Sequence, residues 1–475
     1  MSCRSIAQLI ALAFFVSACA NNQHAAIHPP REEKVCAIYT SLLSFASEDS
    51  MHALAALGPP LPATEPAATQ PAAAVQPATG AVVKKAKKRE YASSSTHAAS
   101  QPYSDLLDDS TPFGILMDKH RRSLAGTKND SEIAMAHEAG FNTAFITLYP
   151  IHGRDWWSLP QARAMVASAA ARGVKEHFHV HMGFSLFNSW MCEHPEKYPG
   201  ASRTIQCDGT RPNWVCYFDD GLWNYYIKNA VELAKVGNEI QGNIDGIFVD
   251  PEAYGPECYL CFCDNCVRKF NDWSGQHMPT GLVKPDSWLL ARGLWNRYSK
   301  DWHDHEVLRH AIDLRKAVHA VNPNLRLSSL LWDYPVAVGV GDPRQQYFRM
   351  LAIGLGTTAK PSWVLPEHTY YSDGPDLKRI IDQVYTDIDA AGASGRVEVL
   401  PGIRILRRSA SSLLERGEVL KQSRVPGYWF YELGDLGEKG IIDFEGAPTD
   451  PGPQYIGAFR KMNRELRAPV KSVTP

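Results

Sequence analysis

The segment Ile244–Glu252 reads IDGIFVDPE and decides the fold, because apolar residues that suit a buried strand lead directly into two carboxylates. Side chains alternate along a strand, so Asp250 and Glu252 share one face. Pro251 has no amide hydrogen and ends strand pairing where the acids emerge, which suits the mouth of a parallel barrel. Acids at such a position usually take part in chemistry. Capping of the next segment or pairing with an arginine is the alternative role for each.

Beyond Tyr103, short apolar segments alternate with helical stretches, which is typical of repeated βα units. The predicted strands are Phe113–Asp118, Phe141–Tyr149, Val174–Phe184, Ile244–Glu252, Leu325–Asp333, Trp363–Tyr371, Val397–Arg404 and Gly427–Glu432. The predicted helices are Ser131–Ala139, Pro160–Arg172, Leu222–Val236, Trp302–Val321, Asp376–Ala391 and Ala410–Gln422. Eight strands predict an α/β fold, a (β/α)8 TIM barrel. A doubly wound open sheet is disfavoured, because no glycine-rich phosphate loop follows the first strand.

Active sites of such barrels lie at the carboxyl ends of the strands, where acidic and aromatic residues dominate in this chain. The residues at the predicted strand ends are Asp118, Tyr149, His181, Asp250, Glu252, Trp332, Asp333, Glu367, Tyr370, Tyr371, Arg404, Trp429, Tyr431 and Glu432. Aromatic rings stack on the apolar faces of sugars, whereas carboxylates hydrogen-bond hydroxyls and supply acid and base. The mixture favours a carbohydrate over a phosphorylated metabolite.

IDGIFVDPE resembles the fourth-strand signature DGxDxDxE of the chitinase-type clan of glycoside hydrolases. Asp245 and Gly246 match its opening, Asp250 matches its last aspartate, and Glu252 matches its proton-donating glutamate. The resemblance implies that Glu252 donates a proton to the leaving oxygen.

Two positions depart from that signature: Phe248 replaces the middle aspartate, and Pro251 stands where a Trp or Tyr is usual. In the clan the last aspartate orients the substrate's N-acetyl group, which attacks its own anomeric carbon, and a sixth-strand tyrosine assists. The resemblance implies these roles for Asp250 and Tyr371. Loss of the middle aspartate weighs against this substrate-assisted route.

A glycosidase needs a second carboxylate, about 5 to 9.5 Å from the acid according to the stereochemical outcome. With Glu252 as the acid, the candidate partners are Asp250, Glu367 and Glu432. Glu367 ranks first, because PEHTYY at residues 366–371 gathers polar and aromatic groups at one strand end. A surface loop acid is its alternative role.

CFCDNCVRKF at Cys261–Phe270 resembles a CxCxxC segment that follows the fourth-strand acid in barrel hydrolases, some of them related to the β-galactosidases. The glycosidase resemblance covers roughly Thr111–Arg467. A tetrahedral zinc site suits the spacing of Cys258, Cys261, Cys263 and Cys266. In an exported chain disulfides compete with zinc, with Cys192, Cys207 and Cys216 as possible partners. Either role is structural, and no cofactor is predicted for catalysis.

His177, His179 and His181 alternate along the third predicted strand. A His-x-His pair at a barrel mouth also resembles the metal-dependent amidohydrolases, which place it on the first strand and need further histidines later. His368 and Asp435 supply these only in part. Substrate binding or a core position is therefore favoured over metal catalysis for His179 and His181.

The first residues have the features of an export signal: a basic residue, the apolar run Ile6–Phe15 and the processing site Val16–Cys19. The site resembles the bacterial lipoprotein signal, in which the cysteine is acylated and becomes the first residue. That resemblance implies a lipid anchor at Cys19, and Ala20 after it implies the outer membrane. A plain signal peptide cleaved after Ala18 or Ala20 is the alternative.

The predicted organisation is a signal peptide at residues 1–18, an anchor and largely disordered linker at 19–105, and the barrel at 106–470. Ala, Pro, Thr and Ser dominate Ala53–Gln101, which cannot bury enough apolar surface to offset its ordering entropy. Its basic cluster Lys84–Arg89 is interpreted as a solvated charge run, with contact to anionic lipid or polysaccharide as the alternative. A net charge of −2 gives no case for nucleic-acid binding.

The sequence thus predicts an exported, lipid-anchored glycosidase that acts on a polysaccharide or oligosaccharide. A non-catalytic glycan-binding barrel for envelope or exopolysaccharide assembly is the alternative from another class. A metal-dependent hydrolase is a further alternative.

Overall fold

Nine parallel strands form one sheet in the part of the chain that the computed structural model describes. The described residues are 122–127, 130–147, 164, 167, 178–239, 244–251, 259–331, 343–372, 374–405, 407–431 and 449–467. The strands are β1 Arg122–Thr127, β2 Thr143–Thr147, β3 Phe178–Gly183, β4 Ile244–Asp250, β5 Arg326–Leu331, β6 Ser362–Pro366, β7 Val397–Val399, β8 Gly402–Ile403 and β9 Gly427–Phe430.

The hydrogen-bonded order is β7-β6-β5-β4-β3-β2-β1-β9-β8, so the two ends of the sheet are short strands that follow each other in sequence. The amide of Leu400 donates to Val364 in β6, at 2.8 Å, and the amide of Trp429 in β9 donates to the carbonyl of Pro401, at 3.0 Å. One run of chain therefore pairs first with β6 and then with β9. Because β7 and β8 do not pair with each other, the described ladder is not a closed ring.

Helices follow most strands, as the βα pattern predicts. They are α1 Asp130–Glu138, α2 Phe184–Glu193, α3 Asp220–Glu239, α4 Asp264–Ser274, α5 Pro285–Ala291, α6 His303–Val321, α7 Pro343–Leu355, α8 Gly374–Ala390, α9 Ala410–Gln422 and α10 Gly452–Arg467. A π-helix, Arg297–Trp302, precedes α6, and a 3-10 helix, Glu367–Tyr371, follows β6. No helix among the described residues is long and apolar enough to cross a membrane.

The two faces of each strand pack differently. Val364 lies with residues of α7 and α8 around one small cavity, so this face of β6 meets the helices. Phe430 packs on Phe459 of α10, with ring centroids 4.6 Å apart, and Tyr428 donates a hydrogen bond to Asn463 of the same helix. Residues at the alternate positions, such as Trp429, therefore point away from these helices, toward the other face of the sheet. That face is called the interior below.

The observed elements agree with most of the predicted ones. From the second onward, every predicted strand overlaps an observed strand, and α9 has the predicted bounds because the Ser409 hydroxyl caps the amide of Ser412 at 3.2 Å. The first observed strand is Arg122–Thr127, which was not predicted, and the segment 113–118 lies outside the described residues.

Three corrections concern the ends of elements. The predicted strand at Trp363–Tyr371 stops at Pro366 and turns into a 3-10 helix, where the Thr369 hydroxyl donates to the Pro366 carbonyl at 2.6 Å. The third strand stops at Gly183, and Phe184 begins α2. Trp302 ends a π-helix and does not begin α6.

Candidate active site at the carboxyl ends of the strands

Three aromatic rings meet in the interior of the sheet. Phe145 of β2 lies 5.0 Å from Phe248 of β4 and 5.6 Å from Trp429 of β9, between ring centroids, and Phe248 lies 6.2 Å from Trp429. Since these strands are not neighbours in the sheet order, their side chains meet only across the interior. Phe248 therefore faces inward, and Asp250, two positions further along β4, shares its face.

Asp250 is the last residue of β4, opposite Gly183 of β3, and its side chain is half-buried. Burial, together with the negative charge of Asp250, raises the pKa of Tyr226 well above its ordinary value. The Tyr226 hydroxyl therefore stays protonated, and it donates to the carbonyl of Met182 at 2.8 Å. β4 thus delivers a carboxylate to the inward face of its carboxyl end.

A second group of side chains comes from the ends of β6, β8 and β9. Tyr370 lies 5.1 Å from Trp429 and 5.7 Å from Tyr431 between ring centroids. The guanidinium of Arg404 lies 4.9 Å from the Tyr431 ring centroid. Tyr431 is 38% exposed, whereas Tyr370 and Trp429 are only 3% and 2% exposed. Tyr431 therefore offers a surface, and the two buried rings support it.

Gly402 permits this close packing of rings. A Cβ atom at Gly402 would lie 2.2 Å from a ring carbon of Tyr370 and 2.8 Å from Nε1 of Trp429, distances shorter than atoms tolerate. The amide of Gly402 also donates a hydrogen bond to the Thr369 hydroxyl oxygen, at 2.6 Å. The absence of a side chain at Gly402 therefore lets Tyr370 of the 3-10 helix pack against Trp429 of β9.

Glu367 begins the 3-10 helix at the end of β6 and is half-buried. The Arg416 guanidinium, itself buried, donates to the carbonyls of Arg404 and Tyr370, at 3.2 and 3.1 Å. That arginine ties the turn that carries Glu367 to the chain after β8. The fold therefore holds Glu367 at the same end of the sheet as Asp250.

The cysteine cluster consists of Cys216, Cys261, Cys263 and Cys266, whose Sγ atoms all lie within 4.8 Å of one another. All four side chains are buried, and Cys216 and Cys266 are 3.3 Å apart. Burial raises the pKa of the Cys216 and Cys266 thiols, whereas hydrogen bonds with the other three thiols lower that of Cys263 well below its usual range. Burial thus opposes ionisation of two of the thiols, while the neighbouring thiols favour it at Cys263.

The other predicted cysteine partners lie elsewhere. Cys192 is close to the Arg203 guanidinium, at 2.5 Å, and Cys207 is exposed. Cys258 lies outside the described residues. The sequence therefore identified three members of the cluster, and the fourth is Cys216, which it offered only as a disulfide partner.

The cysteine cluster is joined to the end of β4. The Tyr259 hydroxyl donates to the carbonyl of Pro251 at 3.0 Å, and the Tyr298 hydroxyl donates to the carbonyl of Cys261 at 2.5 Å. His303, fully buried, contacts the carbonyl of Tyr259, and burial lowers its pKa to about 4. These contacts hold Pro251, the described residue that follows β4, against the segment that carries the cysteines.

Sequence reasoning missed a group of charged side chains around the buried carboxylate of Glu306. Lys269 donates to Asp220 at 2.8 Å and to Glu306 at 3.2 Å, and Arg309 donates to the same two carboxylates at 2.6 and 2.9 Å. Although burial opposes it, hydrogen bonds from His305 and Arg309 and the charge of Lys269 lower the pKa of Glu306 well below its usual range. No local pattern reveals this group, because its members come from three helices.

Several predicted site residues cannot be placed by their side chains. Asp118, Tyr149, Glu252, Trp332, Asp333, Glu432 and Cys19 lie outside the described residues. The backbones of His179 and His181 are on β3, and that of Tyr371 ends the 3-10 helix. The structure thus brings together Asp250 with Phe248 on one side, and Glu367, Tyr370, Arg404, Trp429 and Tyr431 on the other.

No protein-family model matches this sequence, and no curated protein matches it. Solved structures share its fold. The catalytic domain of the β-amylase from Paenibacillus polymyxa aligns with 74% of this chain and 99% of its own, at 12% identity and a TM-score of 0.50. The β-galactosidase from the psychrophilic Marinomonas ef1 aligns with 73% of this chain at 7% identity and a TM-score of 0.50.

That alignment covers 59% of the Marinomonas enzyme, so this chain spans less than two thirds of it. By name, the two neighbours are a β-amylase and a β-galactosidase. Fold and neighbours together define the class of architecture: an α/β protein with the fold of the TIM-barrel glycoside hydrolases.

Proposed function

We propose that this chain is a (β/α)8 glycoside hydrolase that cleaves glycosidic bonds in a polysaccharide or glycan, with Glu252 as the proton donor. The observation that carries the proposal is the inward face of β4, which presents Asp250 at the carboxyl end of the sheet, above the ring of Phe248. Active sites of parallel barrels lie at that end.

Acid catalysis requires a carboxylic acid that stays protonated near neutral pH until it gives its proton to the leaving oxygen, and an apolar surrounding raises a carboxyl pKa in that sense. Glu252 follows Pro251, whose carbonyl the Tyr259 hydroxyl holds. A second carboxylate then acts as nucleophile or base. Asp250 and Glu367 are the described candidates, and Glu432 is the third.

Substrate binding is assigned to the exposed ring of Tyr431 and its neighbour Arg404. An exposed aromatic face stacks on the C–H face of a sugar, and the guanidinium beside it donates hydrogen bonds to hydroxyl oxygens. The remaining predicted contacts, from Asp118, Tyr149, His179, His181, Trp332, Asp333, Tyr370, Tyr371 and Trp429, belong to the same proposal. Carbohydrate is therefore the proposed partner.

Hydrolysis is tested by reducing-end release from a panel of bacterial, plant and algal polysaccharides, with wild type, Glu252→Gln and Glu232→Gln. Glu232 lies on the exposed side of α3, where it pairs only with Lys235 among the described contacts, so its variant is the matched control. We expect release by wild type and the control, and loss in Glu252→Gln with binding retained. Absence of release by wild type from every substrate would overturn the proposal.

One observation favours a second candidate, a glycan-binding barrel without catalysis. Phe248, at the position of the middle aspartate of the chitinase-type signature, packs on Phe145 and Trp429 and gives the interior an apolar floor. A retained binding surface with no turnover is then expected. Isothermal titration with glycans that wild type binds but does not cleave would establish this function.

The proposed location is the cell envelope, with a lipid on Cys19 and residues 19–105 as a tether between the outer membrane and the barrel at 106–470. Metabolic labelling with a fatty acid should mark wild type and not Cys19→Ser. If wild type is exported without label and its chain begins after Ala18 or Ala20, the lipid anchor is excluded and the segment is a plain signal peptide.

A further inference from the structure

Four thiols converge in a closed pocket that no described disulfide explains. Cys216, Cys261, Cys263 and Cys266 are all free, and each is buried. A tetrahedral zinc site with sulfur ligands about 2.3 Å from the metal separates its sulfur atoms by about 3.8 Å. The observed Cys216–Cys266 separation of 3.3 Å and the common limit of 4.8 Å bracket that value, whereas a disulfide requires about 2.05 Å.

Backbone amides point at these sulfur atoms. The amide of Phe218 donates to Sγ of Cys216 at 3.3 Å, and the amides of Ile205 and Cys263 donate to Sγ of Cys261, each at 3.4 Å. Such donors stabilise negative charge on sulfur, and groups around the ligands orient and tune a metal site. The pocket is therefore built for thiolates.

We propose that Cys216, Cys261, Cys263 and Cys266 bind one Zn²⁺ as thiolates and that this ion clamps the segment 201–219 to the segment 259–266. Each thiol gives its proton to solvent when the metal binds. Four protein ligands leave no open coordination position, so the ion is structural and not catalytic. The site goes beyond the proposed hydrolase function and does not depend on it.

The consequence of the clamp is mechanical. The amide of Phe262 donates to the carbonyl of Ile205 at 2.8 Å, so the two segments are already joined beside the sulfur atoms. Tyr259 lies two positions before Cys261 and holds the carbonyl of Pro251. Zinc therefore fixes Tyr259 and, through its hydroxyl, Pro251 at the end of β4. Metal loss is expected to loosen this contact without removing any catalytic group.

Metal content of the purified full chain tests the site directly. By elemental mass spectrometry we expect one zinc per chain, and after exchange with Co²⁺ we expect thiolate-to-cobalt charge-transfer absorption and ligand-field bands of a tetrahedral site. Intact mass under non-reducing conditions should show no hydrogen lost from these cysteines. Folded wild type with no zinc, with iron in its place, or with disulfides among the four cysteines would overturn the proposal.

Variants locate the site. Cys216→Ser should lose most of the zinc, because the remaining three thiolates bind it less tightly, while Cys207→Ser is the matched control from the same segment and should keep one zinc per chain. If Cys216→Ser does not fold, the wild-type metal content and the cobalt spectrum still decide the question. Because none of these measurements uses a glycan, failure of hydrolysis and failure of metal binding remain distinguishable.

Discussion

The carboxyl-end face of the sheet and the cysteine cluster are joined where the Tyr259 hydroxyl contacts the Pro251 carbonyl, but they are built in opposite ways. The carboxyl-end face has Tyr431 38% exposed and half-buried carboxylates at Asp250 and Glu367. The cysteine cluster is buried in every member and surrounded by amide donors. The difference teaches that the same fold places partly exposed polar and aromatic groups at the carboxyl ends of the strands and a fully buried cluster of thiols beside the end of β4.

The largest expected change in the free energy of unfolding comes from a charge placed at Phe248, among the aromatic rings of the interior. Phe248→Asp restores the chitinase-type signature, but it buries a carboxylate against Phe145 and Trp429, so we expect a loss of about 4 kcal/mol in the free energy of unfolding. Phe248→Leu, which stays apolar, should lose much less. Urea denaturation measures both. Equal stability of Phe248→Asp and wild type would show that Phe248 does not face the interior.

The next effect breaks the charged group beside the cysteine cluster. Glu306→Gln leaves the ammonium of Lys269 and the guanidinium of Arg309 with only the exposed carboxylate of Asp220 as a charged partner, so unfolding should become easier by about 2 kcal/mol. Glu418→Gln is the control, since Glu418 makes an exposed pair with Lys421 and should change stability little. Denaturation curves in which the two variants coincide would contradict the assignment.

Acid should destabilise the same region through His303. Burial lowers its folded pKa to about 4 from an ordinary 6.5, so the unfolded chain binds a proton that the folded chain refuses. The stability contribution is complete above pH 6.5 and is lost as the pH falls toward 4. Unfolding free energies across that range should slope downward in wild type and less steeply in His303→Gln. Parallel slopes would exclude His303 as a cause.

A smaller effect is expected at the close contact under the exposed ring. Gly402→Ala forces a Cβ atom into Tyr370 and Trp429, and overpacking of this kind costs about 1–3 kcal/mol. Gly457→Ala in α10, where an added Cβ meets nothing within 4 Å, should be neutral or slightly stabilising. Thermal unfolding compares the two. If Gly402→Ala is as stable as wild type, the rings of Tyr370 and Trp429 must lie further apart than the 5.1 Å between their centroids here.

The smallest effect concerns Tyr431 and separates binding from stability. Tyr431→Ala should weaken glycan affinity by about 1 kcal/mol, roughly fivefold in Kd, with little change in unfolding. Tyr431→Phe keeps the ring and should bind nearly as wild type. Titration with a bound oligosaccharide gives both values. An unchanged Kd in Tyr431→Ala would move the binding surface away from β9.

Strand positions were predictable where an apolar run is followed by a residue that ends strands, as at Ile244–Asp250. A buried strand needs apolar side chains, and the proline that follows lacks the amide hydrogen needed to pair with a neighbouring strand. The sequence did not predict which face of a strand points inward or where a strand ends in a turn. Whether Phe248 points inward depends on Phe145 and Trp429, which come from distant strands. The 3-10 helix after Pro366 depends on a hydroxyl contact that no periodicity encodes.

The cysteine cluster likewise has members that the sequence predicts and one that it does not. CxCxxC spacing identified Cys261, Cys263 and Cys266, since a local motif brings its own members together. Cys216 lies far back in the chain and joins them only through the tertiary fold. Asp220, Glu306 and Arg309 likewise meet from separate helices. Long-range partners are what sequence spacing does not reveal.

We propose that Glu252 donates a proton during glycoside hydrolysis, and the most direct measurement of this role is the initial rate of reducing-end release by wild type and Glu252→Gln on the same glycan. Loss of a general acid is expected to lower the rate by about 100-fold or more, with the affinity for that glycan unchanged. Equal rates in the two proteins would contradict the claim.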